Sequence, residues 1–208
     1  MSRRLVSWGW PLLALLVALS ACRSSTAERS PATEQTTPAS VELMDFDFGG
    51  DFSLTNQDGI ARRLSDFRGR VVLMFFGYTT CPDACPLAMS KIASALQTVP
   101  NASEAVRTIF VSVDTAHDTP PVLSEYVRSF SVPLEGLTGS RQQIDDVVGQ
   151  YRAAYSIEPS DSPIGHDVSH TTYTYLIDRS GRLRYVFRAT DSPDLISAGV
   201  NAALKAPL

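Results

Sequence analysis

Cys81 and Cys85 are separated by three residues in the run Cys81-Pro82-Asp83-Ala84-Cys85-Pro86, and they are two of only three cysteines in 208 residues. A thiol pair at such spacing can exchange with disulfides or hold a soft metal ion. Four residues along a helix rise about 6 Å, so both sulfurs can face one side and just reach disulfide distance. A purely structural bridge is the weaker reading, because a disulfide stabilises most when it closes a long loop, and this one closes almost nothing. The chain has three histidines, His117, His166 and His170. A loop histidine is ordinarily a solvated surface group. His170 stands apart because it directly precedes an apolar strand pattern, Thr171 to Ile177, whose start the expected fold brings near the cysteine turn. Two thiolates and one imidazole form a soft three-ligand set that suits Cu(I) and, with a changed coordination sphere, Cu(II). Zinc would normally require a fourth ligand.

The elements that position these groups follow from hydrophobic patterning. Val71 to Gly77 is a continuous apolar run and reads as a buried strand. Pro82 and Asp83 break it and start a helix over Ala84 to Leu96, with Leu87, Ile92, Ala95 and Leu96 at helical spacing. Val106 to Val113 is a second apolar strand, and Thr119-Pro120 opens a second helix as cap and first turn. Gln142 to Tyr155 reads as a third helix. Thr171 to Ile177 and Arg182 to Phe187 read as strands joined at Asp178-Arg179-Ser180-Gly181, before a last helix from Pro193 to Leu204. An N-terminal β-hairpin, Phe52 to Thr55 with Ile60 to Leu64, turns at Asn56-Gln57-Asp58-Gly59. A βαβ unit followed by a hairpin and a helix is the α/β, thioredoxin-like arrangement, with a central mixed sheet flanked by helices. That fold keeps its reactive site where the cysteines fall here, at the end of the first core strand.

The ends and the composition bound the rest. Arg3 and Arg4 precede an apolar stretch from Trp8 to Leu19, which is short for a membrane-spanning helix and reads as a signal peptide over 1–21. Leu19-Ser20-Ala21-Cys22 resembles a bacterial lipobox, which makes Cys22 the expected lipidation site and new N-terminus. Residues 22–40 are rich in Ser, Thr, Ala, Pro and Glu without apolar periodicity, as in a flexible tether. Residues 41–208 have the size of one domain. The expected location is therefore outside the cytoplasm, anchored at the outer face of the bacterial cytoplasmic membrane, with the outer membrane as the alternative. Loss of the two leader arginines takes the formal net charge from −4 to −6, and no basic patch suggests nucleic acid.

Three ordered motifs then carry a resemblance. Phe75-Phe76-Gly77-Tyr78-Thr79-Thr80-Cys81-Pro82-Asp83-Ala84-Cys85-Pro86 resembles the signature of the Sco/SenC family of copper-binding proteins. Val111-Ser112-Val113-Asp114 with Asp118-Thr119-Pro120 is similar to that family's second motif, and His170 ahead of Tyr173 to Asp178 to its third. The resemblance covers about 45–205. It implies a thioredoxin-like, peroxiredoxin-related fold, with copper held by Cys81, Cys85 and His170. It further implies help in building the CuA centre of cytochrome c oxidase subunit II, with a periplasmic copper donor as a further partner. Many members carry Asp directly before the histidine; here that position is Ser169, with Asp167 three residues before His170, and His166 is an alternative imidazole in one oxidation state. Asp83 is a candidate for orienting the site, and Asp114 and Asp118 for supporting it from behind; Tyr78 and Phe76 read as core.

The runner-up function is a thiol–disulfide oxidoreductase that uses the same Cys81–Cys85 pair to reduce the CuA-site cysteines or to act in redox homeostasis. A peroxidase is disfavoured, because the segment before Cys81 lacks the proline of the Pro-x-x-x-Thr-x-x-Cys pattern.

Overall fold

The structure, a computed structural model, describes residues 40–207. The expected signal peptide, Cys22 and nearly all of the tether lie outside the described residues. In chain order the elements are β1 (Ser53–Asn56), β2 (Ala61–Arg63), a 3-10 turn (Leu64–Phe67), β3 (Val71–Gly77), α1 (Ala84–Leu96), α2 (Ala102–Ala105), β4 (Val106–Ser112) and α3 (Pro120–Arg128). There follow β5 (Leu134–Thr138), α4 (Arg141–Gln150), β6 (Tyr155–Pro159), β7 (His166–His170), β8 (Thr174–Ile177), β9 (Leu183–Phe187) and α5 (Pro193–Lys205).

Seven strands form one mixed sheet in the order β2-β1-β5-β4-β3-β8-β9, and β6 with β7 forms a separate antiparallel pair. β3 is buried at every position, because its apolar residues meet a core on both faces. It runs parallel to β4 and antiparallel to β8. Its alternate side chains serve different layers. Val71, Leu73 and Phe75 pack with Met89 and Ile92 of α1, Leu123 of α3 and Ile196 and Val200 of α5. Val72, Met74 and Phe76 pack with Ile109 and Val111 of β4 and with Ile144, Val147 and Tyr151 in and after α4. The arrangement is the expected thioredoxin-like one, N-terminal hairpin included.

Local chemistry explains the ends of the helices. Pro86 sits in the first turn of α1, where backbone N–H groups lack intrahelical partners anyway, so it breaks no helix bond. Ser140 and Gln143 close a reciprocal capping box at the start of α4.

Four expectations need correction. The third helix ends at Gln150, not Tyr155, because Arg152 takes a left-handed backbone conformation with φ 51°. The strand expected from Thr171 begins at Thr174. His166, expected in a loop, and His170, expected directly ahead of a strand, are the two ends of β7. β5 and the whole β6–β7 pair were not expected; β5 is short and interrupted by Gly136, and β6 and β7 are too polar to read as strands.

Candidate metal centre

The cysteine turn is built by β3 stopping and α1 starting. The Cys81 amide donates to the Tyr78 carbonyl at 3.2 Å, which closes the turn. The Cys85 amide, freed by its place in the first helical turn, donates to Cys81 Sγ at 3.4 Å. Both cysteines are free thiols and buried, Cys85 completely and Cys81 to 8% exposure. Burial pushes the Cys85 thiol up, and the nearby Cys81 sulfur adds to the effect.

His170 arrives from the other side. Its Nε2 lies 3.7 Å from Cys85 Sγ, and the ligand atoms of Cys81, Cys85 and His170 all fall within 4.8 Å of one another. Its Nδ1–H donates to the Thr171 carbonyl at 3.0 Å, which leaves the Nε2 lone pair facing the sulfurs. Burial lowers the His170 pKa below its ordinary value, so the ring is neutral at pH 7 and able to ligate. The rings of Phe75 and Tyr78 stand edge-on to the imidazole, at 5.8 and 5.7 Å between centroids. The site is thus three donors with soft character in an aromatic pocket.

Tyr78 is more than core. Burial, then the neighbouring Cys81 and Cys85, push its phenol up to about 12, so it stays a neutral hydroxyl beside the sulfurs. Phe76 is core, as expected. Asp83 holds the N-cap position of α1 but makes no side-chain cap bond and points into solvent. Asp167 and Ser169 alternate with His166, Val168 and His170 along β7, and both are exposed, so neither supports the imidazole. Asp114 and Asp118 are fully buried. Asp118 accepts hydrogen bonds from Thr79, Ser112 and His117, and Asp114 from His166 and the His117 amide. His166 therefore belongs to Asp114 and not to the sulfur pair.

Gly77 also shapes the site, which sequence reading missed. A Cβ there would stand 2.6 Å from Cys85 Sγ, so only glycine lets that sulfur settle against the end of β3. A glycine closing an otherwise apolar strand, directly before the cysteine turn, was the available signal.

A thioredoxin-like domain with a Cys–Cys–His cluster at the end of its first core strand defines the class of protein. The SCO1/SenC family profile matches residues 41–205, and the chain belongs to that family. It is similar to protein SenC of Rhodobacter capsulatus, with 37% identity over 159 residues, covering 76% of this chain and 71% of the relative. Among solved structures it is similar to copper-bound ScoI of Bradyrhizobium japonicum, with a TM-score of 0.68, 35% identity and coverage of 75% of this chain and 99% of that one. Copper-bound ScoI of Arabidopsis thaliana gives a TM-score of 0.71 at 31% identity, covering 76% and 98%.

Proposed function

We propose that Cys81, Cys85 and His170 hold one copper ion, which the domain carries to the CuA site of cytochrome c oxidase subunit II. The observation that carries this reading is the convergence of two sulfurs and one imidazole nitrogen within 4.8 Å. A set of two sulfurs and one imidazole would favour Cu(I). The copper-bound ScoI relatives support the choice of metal.

The two sulfurs differ in what they contribute. Cys85 is shut in and its thiol holds its proton, so loading must displace that proton. Cys81 is the sulfur a partner can reach, so ligand exchange would start there: one thiolate of the recipient would replace Cys81, and further donors of the recipient would then replace His170 and Cys85. Tyr78 and Phe75 keep water from the imidazole and hold its plane.

Localisation is part of the same proposal. A leader over 1–21, a lipid on Cys22 and a tether over 22–40 would leave the domain free to search the outer face of the bacterial cytoplasmic membrane for a fixed partner. Among the described residues no helix is long and apolar enough to cross a membrane.

One observation favours a second reading. Cys81 is the less buried of the two sulfurs and lies at a helix N-terminus with the Cys85 amide aimed at it, so it is the one an incoming disulfide can meet. As an oxidoreductase, the Cys81 thiolate would attack a partner disulfide and form a mixed disulfide. Cys85 would then displace the partner, leaving a Cys81–Cys85 disulfide here and two reduced thiols there.

The deciding test is copper content and free thiols measured together on the reduced protein carrying Cys22→Ser. One copper per chain, with X-ray absorption showing two sulfurs and one imidazole, is expected. Loss of tight binding in Cys81→Ser and Cys85→Ser, and of the imidazole signal in His170→Ala, completes it. In a strain lacking the protein, rescue of oxidase activity by added copper supports delivery. Rescue by a thiol reductant without any effect of copper supports the second reading.

A further inference from the structure

A buried polar knot lies between the two chain segments that supply the ligands. Its centre is the loop after β4. Ser112 Oγ donates to Asp118 Oδ2 at 2.5 Å and accepts from the Asp114 amide at 3.1 Å. The Asp118 amide donates to the Asp114 carbonyl at 2.8 Å. His117 closes the knot, with its amide on Asp114 Oδ1 at 3.3 Å and its Nδ1 on Asp118 Oδ1 at 3.0 Å. The knot is rooted in the sheet, because Val113 donates to the Gly77 carbonyl at 2.8 Å.

Two arms leave this knot in different directions. Asp118 receives the Thr79 amide at 2.8 Å and the Thr79 hydroxyl at 2.6 Å, two residues ahead of Cys81. Asp114 receives His166 Nε2 at 2.8 Å, at the far end of the strand that ends in His170. Both carboxylates are at 0% exposure, and His166 is at 18%.

The second arm matters because of how β7 is held. Among the described residues β6 and β7 pair only with each other. A lone two-stranded hairpin is marginal in water and takes its orientation from what its inner face touches. Along β7 that face is His166, Val168 and His170. Val168 enters the core, His170 meets Cys85, and His166 is the only one of the three pinned by a buried charge.

We propose that Asp114 and Asp118 form a brace that sets the distance between the cysteine turn and the imidazole, with His166 as a positioning residue rather than a ligand. The inference rests on the copper site proposed above. Breaking either arm leaves all three donors in place but loosens their mutual geometry. Removing such outer partners of a metal site typically lowers affinity about 10- to 100-fold.

The test uses the full-length protein carrying Cys22→Ser, with His166→Ala, His166→Gln and Asp118→Asn compared. A glutamine amide can donate to Asp114 from the place of Nε2 but is a poor copper ligand. His166→Ala should lower Cu(II) affinity about tenfold or more and shift the sulfur-to-copper absorption bands. His166→Gln should keep the parent spectrum and bind within about threefold of it, well short of that tenfold loss. Asp118→Asn should weaken binding and speed hydrogen exchange of the Thr79 amide. Parent-like behaviour of His166→Ala overturns the brace. Equal failure of His166→Gln and His166→Ala overturns it too, and makes His166 a ligand. If the parent bound no copper at all, the copper site would fall, and the brace would be judged on the copper-free reduced protein. There, His166→Ala should weaken the NMR cross-relaxation between His170 and the Phe75 and Tyr78 rings; unchanged cross-relaxation overturns it.

Discussion

Gly77→Ala puts the local geometry of the site under direct strain. The added Cβ would stand 2.6 Å from Cys85 Sγ, 2.7 Å from Phe110 Cε2 and 3.0 Å from Phe110 Cζ. Relaxed carbon contacts lie at about 3.5–4.0 Å, so something must retreat by about 1 Å. Phe110 has nowhere to go: it is at 0% exposure, stacked near Phe75 and 4.9 Å from the Tyr126 ring. The Cys85 sulfur is the atom that moves, and the sulfur–nitrogen separation of 3.7 Å moves with it. Overpacking of this kind costs about 1–3 kcal/mol. For a domain of this size that lowers Tm by about 2–12 °C. Copper affinity should fall at least about tenfold, since a metal site tolerates only about 0.5 Å of misplacement. The assay is thermal unfolding of the reduced, copper-free protein beside a Cu(I) competition titration with a chromophoric chelator. Gly149→Ala is the control, because a Cβ there meets nothing within 4 Å. Parent-like Tm and affinity in Gly77→Ala would refute the argument that the strand end is shaped around the sulfur.

Three further outcomes are expected. In reduced, copper-free protein an alkylating reagent should label Cys81 well before Cys85, because Cys85 is fully buried with a raised thiol pKa; mass spectrometry of timed samples reads the order. The copper-free domain should lose stability as pH falls below 6.5, because unfolded chains protonate His170 there while the folded site, with its pKa lowered by burial, resists; urea midpoints between pH 5 and 8 should slope less in His170→Gln. Arg184→Ala removes the 3.0 Å cationic partner of the buried Asp178 carboxylate, which keeps Ser180 and the Arg182 amide, and should destabilise the fold by about 1.5–3 kcal/mol, with Cu(I) affinity unchanged because β9 supplies no ligand.

How legible these features were depended on range. β3 and α1 could be read because one is an unbroken apolar run and the other has helical spacing behind a proline, and α1 has the bounds the pattern suggested. The cysteines and His170 could be chosen because residue type and proximity to a core strand narrow the options. The hairpin of β6 and β7 was hidden: Tyr155-Ser156-Ile157-Glu158-Pro159 and His166-Asp167-Val168-Ser169-His170 each place few apolar groups inward. A period-two reading of the second segment does put His166, Val168 and His170 on one face, which was the available clue. The brace was out of reach. Its bonds join residues 39 and 52 positions apart, and side-chain pairing at that range is decided by tertiary packing rather than local pattern.

β3 divides the domain into two compartments, with Cys85 on the side of Val71, Leu73 and Phe75 and a separate apolar layer on the side of Val72, Met74 and Phe76. A lineage adapting to heat or cold can therefore rework Ile144 and Val147 without touching the layer that holds Cys85, although Val168, in their own layer, lies on the strand that carries His170. Tyr78 packs against both compartments and is where such drift would first reach the sulfurs. For the two sulfurs, though not for the imidazole, the strand acts as a firewall against the part of the sequence free to wander.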